Sequence, residues 1–137
     1  MDNLRLKRYK NKINYILDNM EDLPLIPENT LEKKGIFYSL QTSIESTVDL
    51  VAMLVKDLSI PVKDDYTNIK KIIDLRNIDP SLGEKLIKAN GLRNILVDRY
   101  NSIEDEIILN SVSDIKDLLY QWLDIIEGCL IEIKNDE

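Results

Sequence analysis

Hydrophobic residues recur along most of this chain every three or four positions, which is the spacing of an amphipathic helix. One apolar stripe runs through residues 6–20, and a second, longer stripe runs through residues 37–58. Pro24 and Pro27 follow the first stripe, and Pro61 follows the second. Because proline cannot continue the hydrogen bonds of a helix, the pattern predicts two helices that end before these prolines.

Two shorter helices are predicted next along the chain. Residues 66–76 carry a short apolar stripe of isoleucines. Asp79 then offers an N-cap, with Pro80 at the first position of a fourth helix. This helix is predicted to run to Tyr100, with Asn90-Gly91 as a candidate bend, since both residues weaken a helix interior.

The fifth predicted helix begins near Ser111 or Ser113 and continues to Ile133. The sequence predicts no convincing strand and no internal repeat, and glycine and proline number only four each. We therefore predict an all-α, up-and-down bundle of about five helices in a single domain, residues 1–137. The many apolar stripes, including Trp122, suggest more apolar surface than a small core can hide, which favours a homodimer.

Composition and charge limit the classes of function. The formal net charge of −7 repels phosphate, so the chain is predicted to be a poor non-specific binder of nucleic acid. Contact with nucleic acid must then be local, at Arg93, Arg99 and the basic first twelve residues, whereas the acidity suits a basic protein partner. The sequence shows neither a signal-peptide core nor a long apolar run, so we expect a cytoplasmic protein and no membrane contact.

The chain contains no histidine and a single cysteine. These counts argue against a zinc site and exclude Ser-His or Cys-His catalysis within the chain, and the scattered glycines form no phosphate loop. We therefore expect neither a metal nor a cofactor. Cys129 is predicted to be a buried, inert thiol. The acidic residues at 64–65 and 104–106 are interpreted as solvated turns or helix ends.

The second helix carries polar residues at steps of four. Gln41, Glu45 and Asp49 line one edge of its apolar stripe. They form either a solvated flank or a set of side chains that reaches a neighbouring helix. In the second case Arg93 is the obvious basic partner, and a Glu45–Arg93 ion pair is expected.

One segment of the fourth helix sets polar groups tightly into an apolar run. It reads Arg93-Asn94-Ile95-Leu96-Val97-Asp98-Arg99-Tyr100. Residues seven apart lie within about 20° of each other around a helix, so Arg93 and Tyr100 share a face, and Asn94 and Asp98 form a neighbouring strip. The three aliphatic residues between them are expected to anchor the helix. A purely structural interpretation pairs Arg93 inside the bundle and Asp98 with Arg99, while Tyr100 covers the core.

This segment resembles the Arg-Asn-x-x-x-His-x-Tyr motif of the HEPN superfamily, and in particular of the HepT-like toxins. The flanking sequence is similar to this family as well, over roughly residues 4–130. The similar stretches are Leu40-Gln41, Ile44-Glu45, Val48-Asp49-Leu50, Asp65-Tyr66, Ile72–Leu75 and Leu82-Gly83-Glu84-Lys85-Leu86.

The resemblance implies a homodimer whose motif helices face each other and build one composite cleft. Active members of the family are metal-independent endoribonucleases, and a nucleotidyltransferase antitoxin of the MNT class is encoded with them. This partner neutralises the toxin and, in some systems, transfers AMP to the motif tyrosine, whose position Tyr100 occupies here. The resemblance places Arg93, Asn94 and Asp98 at the catalytic positions, with RNA as the expected substrate.

Asp98 stands where the family has its histidine. Metal-free RNA cleavage needs a base for the 2′-hydroxyl and an acid for the leaving oxygen, and histidine serves because its pKa lies near neutrality. An aspartate, with an unperturbed pKa of about 3.9, is a weak base and a poor acid at pH 7. We therefore expect little or no ribonuclease activity from this chain.

Three hypotheses follow from the sequence. The chain is a HepT-like toxin component with a site at Arg93, Asn94, Asp98 and Tyr100. Alternatively, the same dimer is a non-catalytic module that binds its nucleotidyltransferase or a nucleotide, with Tyr100 as the residue modified. The third hypothesis is a structural helical bundle without a site.

Overall fold

The computed structural model describes residues 1–98 and 102–136, and five α-helices without a strand make up this part of the chain. The helices are α1 (Asn3–Glu21), α2 (Thr30–Asp57), α3 (Asp65–Arg76), α4 (Pro80–Asp98) and α5 (Ser102–Asn135). The predicted all-α bundle of about five helices is confirmed. Within the described ranges, no helix is both long and apolar enough to cross a membrane.

Short polar side chains fix the starts of the first four helices, because each accepts a hydrogen bond from a backbone N–H that the helix leaves unpaired. These N-caps are Asp2 for α1, Asn29 for α2, Asp64 for α3 and Asp79 for α4. The Thr67 side chain donates to Asp64 and lowers the pKa of that carboxyl. The Ser81 backbone amide lowers the pKa of Asp79 in the same way, and Asp79 caps α4 as predicted.

Helix α2 is the central element, since it packs against each of the other four helices. One side of this helix carries a wide stripe of buried residues that runs along most of its length. Its buried residues are Ile36, Phe37, Leu40, Ser43, Ile44, Thr47, Val48, Leu50, Val51, Leu54 and Val55. The orientation of the other helices is therefore set by their contacts with α2.

Close contacts on two sides hold α4 in place. Gly83 packs against α3 so tightly that a Cβ atom at this position would lie 2.9 Å from Ile73 Cγ1. On the other side, the Nε1–H of the buried Trp122 donates to the backbone carbonyl of Leu82 at 3.0 Å. Helix α4 runs without a break through residues 90–91, where a bend was a candidate. These contacts position the segment that carries Arg93.

The start of α5 differs from the prediction. The helix begins at Ser102, and not near Ser111 or Ser113. Ile108 and Val112 are fully buried and continue the apolar stripe two turns towards the N-terminus, so packing extends the helix beyond the serines. The acidic residues at 104–105 lie in its first turn, where negative charge favours the helix dipole.

Two predictions about individual core residues have different outcomes. Cys129 is buried as predicted, and burial raises the pKa of its thiol, which is the behaviour of an unreactive core cysteine. Trp122 is also fully buried within the chain's own core. The prediction that its stripe leaves apolar surface for a dimer is therefore wrong at this residue, because α4 and its neighbours already cover the indole ring.

A buried polar cluster joins the start of α1 to the end of α2. The Tyr9 ring is fully buried, and its hydroxyl donates to Asp57 Oδ2 at 2.5 Å. The same oxygen accepts a hydrogen bond from Arg5 Nε at 2.9 Å. Burial and the hydrogen bond to Asp57 raise the pKa of Tyr9 above its usual value, so its hydroxyl remains a donor. This cluster closes one end of the bundle.

We predict that Tyr9→Phe lowers the free energy of unfolding by about 1–3 kcal/mol, because the substitution removes a hydrogen bond to a mostly buried carboxylate. Tyr15 lies on the same helix and is 41% exposed, so Tyr15→Phe should change stability by less than about 0.5 kcal/mol. Urea denaturation of the two variants measures the difference. Equal losses in both variants would contradict a specific role for the Tyr9 hydroxyl.

Candidate functional site

Three helices place their side chains around Arg93. This residue lies on α4 between the buried Ala89 and Leu96, so its helix face points into the bundle towards α2 and α3. Its side chain is 27% exposed. An arginine in such a position can cover apolar surface with its stem while the guanidinium group remains accessible to a ligand.

Two carboxylates from different helices flank the Arg93 guanidinium. Glu45 Oε1 on α2 lies 4.0 Å from Arg93 Nε, and Asp65 Oδ2 on α3 lies 4.0 Å from Arg93 Nη2. The structure thus contains the Glu45–Arg93 ion pair that the sequence predicted. Both distances exceed hydrogen-bond length, so the carboxylates attract the guanidinium without binding it closely.

Asn90 adds a fourth member to this cluster. It lies on α4 one turn before Arg93, and its Nδ2 donates to Asp65 Oδ2 at 3.1 Å. The carboxylate oxygen that attracts Arg93 is therefore also held by an amide from the same helix. We call these four residues, Glu45, Asp65, Asn90 and Arg93, the arginine cluster.

The sequence analysis missed two members of the arginine cluster. Asp65 was interpreted as part of a solvated turn, and Asn90 only as a candidate bend. Asp64 does behave as a helix end, because it caps α3. Asp65, the next residue, instead contacts α4. Only the packing of α3 on α4 brings it close to Arg93. Two signals were available: the spacing of Asn90, three residues before Arg93 on the same helix, and the similarity of Asp65-Tyr66 to the family.

The other predicted polar residues of α2 divide between two surroundings. Gln41 is partly buried, one turn before Glu45. Asp49 is exposed and points to α1, where its Oδ2 lies 3.7 Å from Lys12 Nζ. The structure therefore does not bring Asp49 to the arginine cluster, since each helical turn after Glu45 moves the side chain further along α2. Asp49 belongs to the solvated flank that was the alternative interpretation.

The motif segment is anchored by fewer residues than expected. Leu96 is buried, whereas Ile95 is 44% exposed and Val97 is 58% exposed. The prediction that all three aliphatic residues anchor α4 is wrong, because neighbouring positions on a helix lie about 100° apart and only one of the three faces the core. Asn94 is exposed as well. This end of α4 thus presents both polar and apolar groups at the surface.

The remaining motif residues are only partly described. Asp98 is the last residue of α4, and its side chain lies outside the described structure. Arg99 and Tyr100 also lie outside the described residues. Within residues 1–98 and 102–136, no group of three or more histidine, cysteine, aspartate or glutamate residues could hold a metal ion. The described chemistry at this site is therefore that of an arginine, two carboxylates and two amides.

Comparison with known families shows to which family the chain belongs. The family model described as "Ribonuclease HepT-like" matches residues 6–125, which include the arginine cluster and the motif segment. The chain belongs to the HepT-like ribonuclease family. Two proteins of Archaeoglobus fulgidus, each named "Putative RNase", are similar along most of their length. One is 44% identical over 96% of this chain and 99% of its own, and the other is 33% identical over 84% and 88%.

Solved structures show that HEPN toxins share this fold. A mutant toxin–antitoxin pair aligns with a TM-score of 0.75 at 19% identity, over 88% of this chain and 98% of the other. A tri-AMPylated HEPN toxin of Shewanella oneidensis, in complex with an MNT antitoxin, aligns with a TM-score of 0.68 at 20% identity. That alignment covers 93% of this chain and 99% of the toxin. The TM-scores establish the shared fold, but at these low sequence identities they do not establish a shared function.

Proposed function

We propose that this chain is the toxin component of a toxin–antitoxin pair, with an RNA-binding site centred on Arg93. The observation that carries the proposal is the arginine cluster. It places the motif arginine of a HepT-like ribonuclease between two helices, accessible but not closely bound to either carboxylate. An arginine held in this way can exchange its weak carboxylate contacts for a phosphate.

The chemistry of Arg93 suits an RNA phosphate. A guanidinium group presents five N–H donors in a planar fork that matches two phosphate oxygens. It can also stabilise the extra negative charge that develops on phosphorus during cleavage. Asn94 is exposed on the next position of α4 and offers an amide for the same ligand. Both groups act without a metal ion.

Asp98 limits what this site achieves chemically. It occupies the position of the family's histidine, and an ionised carboxylate neither donates a proton efficiently nor tolerates a nearby phosphate well. We therefore propose that RNA is bound and turned over weakly. The alternative function, a non-catalytic dimeric module that binds the antitoxin or a nucleotide, is favoured by the same substitution.

We further propose that two copies of the chain join through the outer face of α4. Ile87, Gly91 and Ile95 follow one another at steps of four on this face, and a side chain at Gly91 would project into open space. Glycine is unfavourable within a helix, but it allows a second helix to approach closely. Crossing the two α4 helices at Gly91 would bring together the exposed Asn94 residues of both chains, which lie three positions further along the same side of the helix.

A nucleotidyltransferase antitoxin is the proposed protein partner. The structural relative from Shewanella oneidensis is a tri-AMPylated HEPN toxin in complex with an MNT antitoxin. By the resemblance of the motif, Tyr100 is the proposed acceptor of AMP in this chain. The negative charge of an added AMP would repel RNA from Arg93, which explains how such a modification would neutralise the toxin. Both partners would meet in the cytoplasm.

We predict that Asp98→His raises RNA cleavage by at least about a hundredfold, because general acid–base catalysis typically contributes factors of 10² to 10⁴. Cleavage of a labelled single-stranded RNA at pH 7 by the two proteins measures the change. Adding Arg93→Gln to Asp98→His should abolish the gain and serves as the control. Rapid cleavage by the unmodified chain would refute the proposed weakness.

We predict that Gly91→Gln raises the dissociation constant of the homodimer at least about tenfold, since a long side chain at the crossing point prevents close packing. Gly35→Gln is the matched control, because Gly35 also lies in a helix and also faces open space. Sedimentation velocity at micromolar concentration measures both. A monomeric unmodified chain, or dissociation caused only by Gly35→Gln, would rule out the α4 interface.

We predict that incubation with its nucleotidyltransferase partner and ATP adds one or more AMP units to this chain. Intact-mass and peptide analysis should place them on the peptide that contains Tyr100. Tyr100→Phe should remove the first addition, while Tyr38→Phe, which changes an exposed tyrosine on α2, should not. Modification that persists in the Tyr100→Phe variant would show that another residue is the acceptor.

A further inference from the structure

We propose that Asp65 and Asn90 are positioning residues that orient the Arg93 guanidinium for an RNA phosphate. This inference rests on the proposed function of Arg93 and adds two residues to it. Neither is part of the Arg93-Asn94-Asp98-Tyr100 motif segment. Both act through Arg93, and neither needs to touch the RNA.

The contacts of Asp65 suit this role. Its Oδ2 accepts a hydrogen bond from Asn90 Nδ2 at 3.1 Å and lies 4.0 Å from Arg93 Nη2. The hydrogen bond restricts rotation of the carboxylate and holds the oxygen that attracts Arg93. Glu45 attracts Nε from the opposite helix, also at 4.0 Å. A guanidinium drawn from two directions keeps one orientation more often than a free side chain does.

The two polar atoms of the Asn90 amide differ in their hydrogen bonding, and the difference supports a role for its nitrogen. Its Oδ1 atom is buried and has no hydrogen-bond partner among the residues that the structure describes. A buried carbonyl oxygen without a donor is unfavourable, so an apolar residue of similar size would be expected at a purely structural position. The asparagine at this position instead supplies the N–H group that holds Asp65.

The Asp65–Arg93 contact is too weak to be explained as a structural ion pair. Both side chains are partly exposed, 45% for Asp65 and 27% for Arg93, and exposed pairs at this distance contribute little to stability. Since the pair contributes little to stability, we attribute to it the orientation of the Arg93 side chain. Asp65 can therefore be changed without unfolding the protein, and its role can be tested directly.

Removing the Asp65 charge distinguishes positioning from simple electrostatics, because the two effects have opposite signs. If Asp65 only adds negative charge near the RNA, Asp65→Asn strengthens binding. If Asp65 positions Arg93, the same isosteric change weakens binding even though it removes a repulsive charge. We expect the dissociation constant to rise about fivefold, a ratio typical of weakly coupled neighbouring residues.

The chain offers a matched control in Asp64→Asn. This variant removes the same charge one residue away, and asparagine caps a helix as well as aspartate does. Fluorescence anisotropy with a labelled single-stranded oligoadenylate should show weaker binding for Asp65→Asn and unchanged or tighter binding for Asp64→Asn. In an Arg93→Gln background, Asp65→Asn should no longer weaken binding. Weakening that persists without Arg93 would overturn the inference.

A second measurement decides the inference independently of RNA. The Nε–Hε NMR signal of Arg93, assigned through its loss in Arg93→Gln, should be shifted away from the signals of exposed arginines. Asp65→Asn and Asn90→Ala should move it towards them, and Asp64→Asn should not. An unchanged signal in all variants would overturn the positioning role. If Arg93→Gln leaves RNA binding intact while the NMR shifts occur as expected, the proposed function fails and the positioning role stands.

Discussion

The burial of α2 against all four other helices is the constraint on which the rest of the structure depends. Because its wide apolar stripe must be covered, α3 and α4 are brought against it near Glu45. Gly83 and Trp122 then set how closely α4 approaches its neighbours. The arginine cluster is a product of this packing, and each of the three helices supplies a side chain to it.

The electrostatics of the arginine cluster are consistent with the proposed RNA binding at a single place on an acidic protein. The formal net charge of −7 opposes non-specific binding to a polyanion. Arg93 is attracted by Glu45 and Asp65 but remains more than a hydrogen-bond length from both. The proposed positioning would orient this residue in the free protein and still let it exchange its partners for a ligand.

In the proposed function, Asp98 affects catalysis more than binding. The position at the end of α4 needs a group that exchanges protons near neutral pH, and a carboxylate does so poorly. Ile95 is exposed and Gly91 faces open space, and both belong to the face of α4 proposed to contact a second chain. In the proposed function, RNA binding, cleavage and dimer formation are assigned to different residues of α4, so substitutions can test each one separately.

The sequence by itself determined the helical class, the cap at Asp79, the burial of Cys129 and the motif segment at Arg93, because these depend on local periodicity and residue chemistry. It did not determine where α5 begins, since burial of Ile108 extends the helix past its serines. Only the tertiary structure brought Asp65 to Asn90 and Arg93 and sent Asp49 to Lys12. Contacts between helices depend on packing across residues distant in the chain, which periodicity along one helix does not encode.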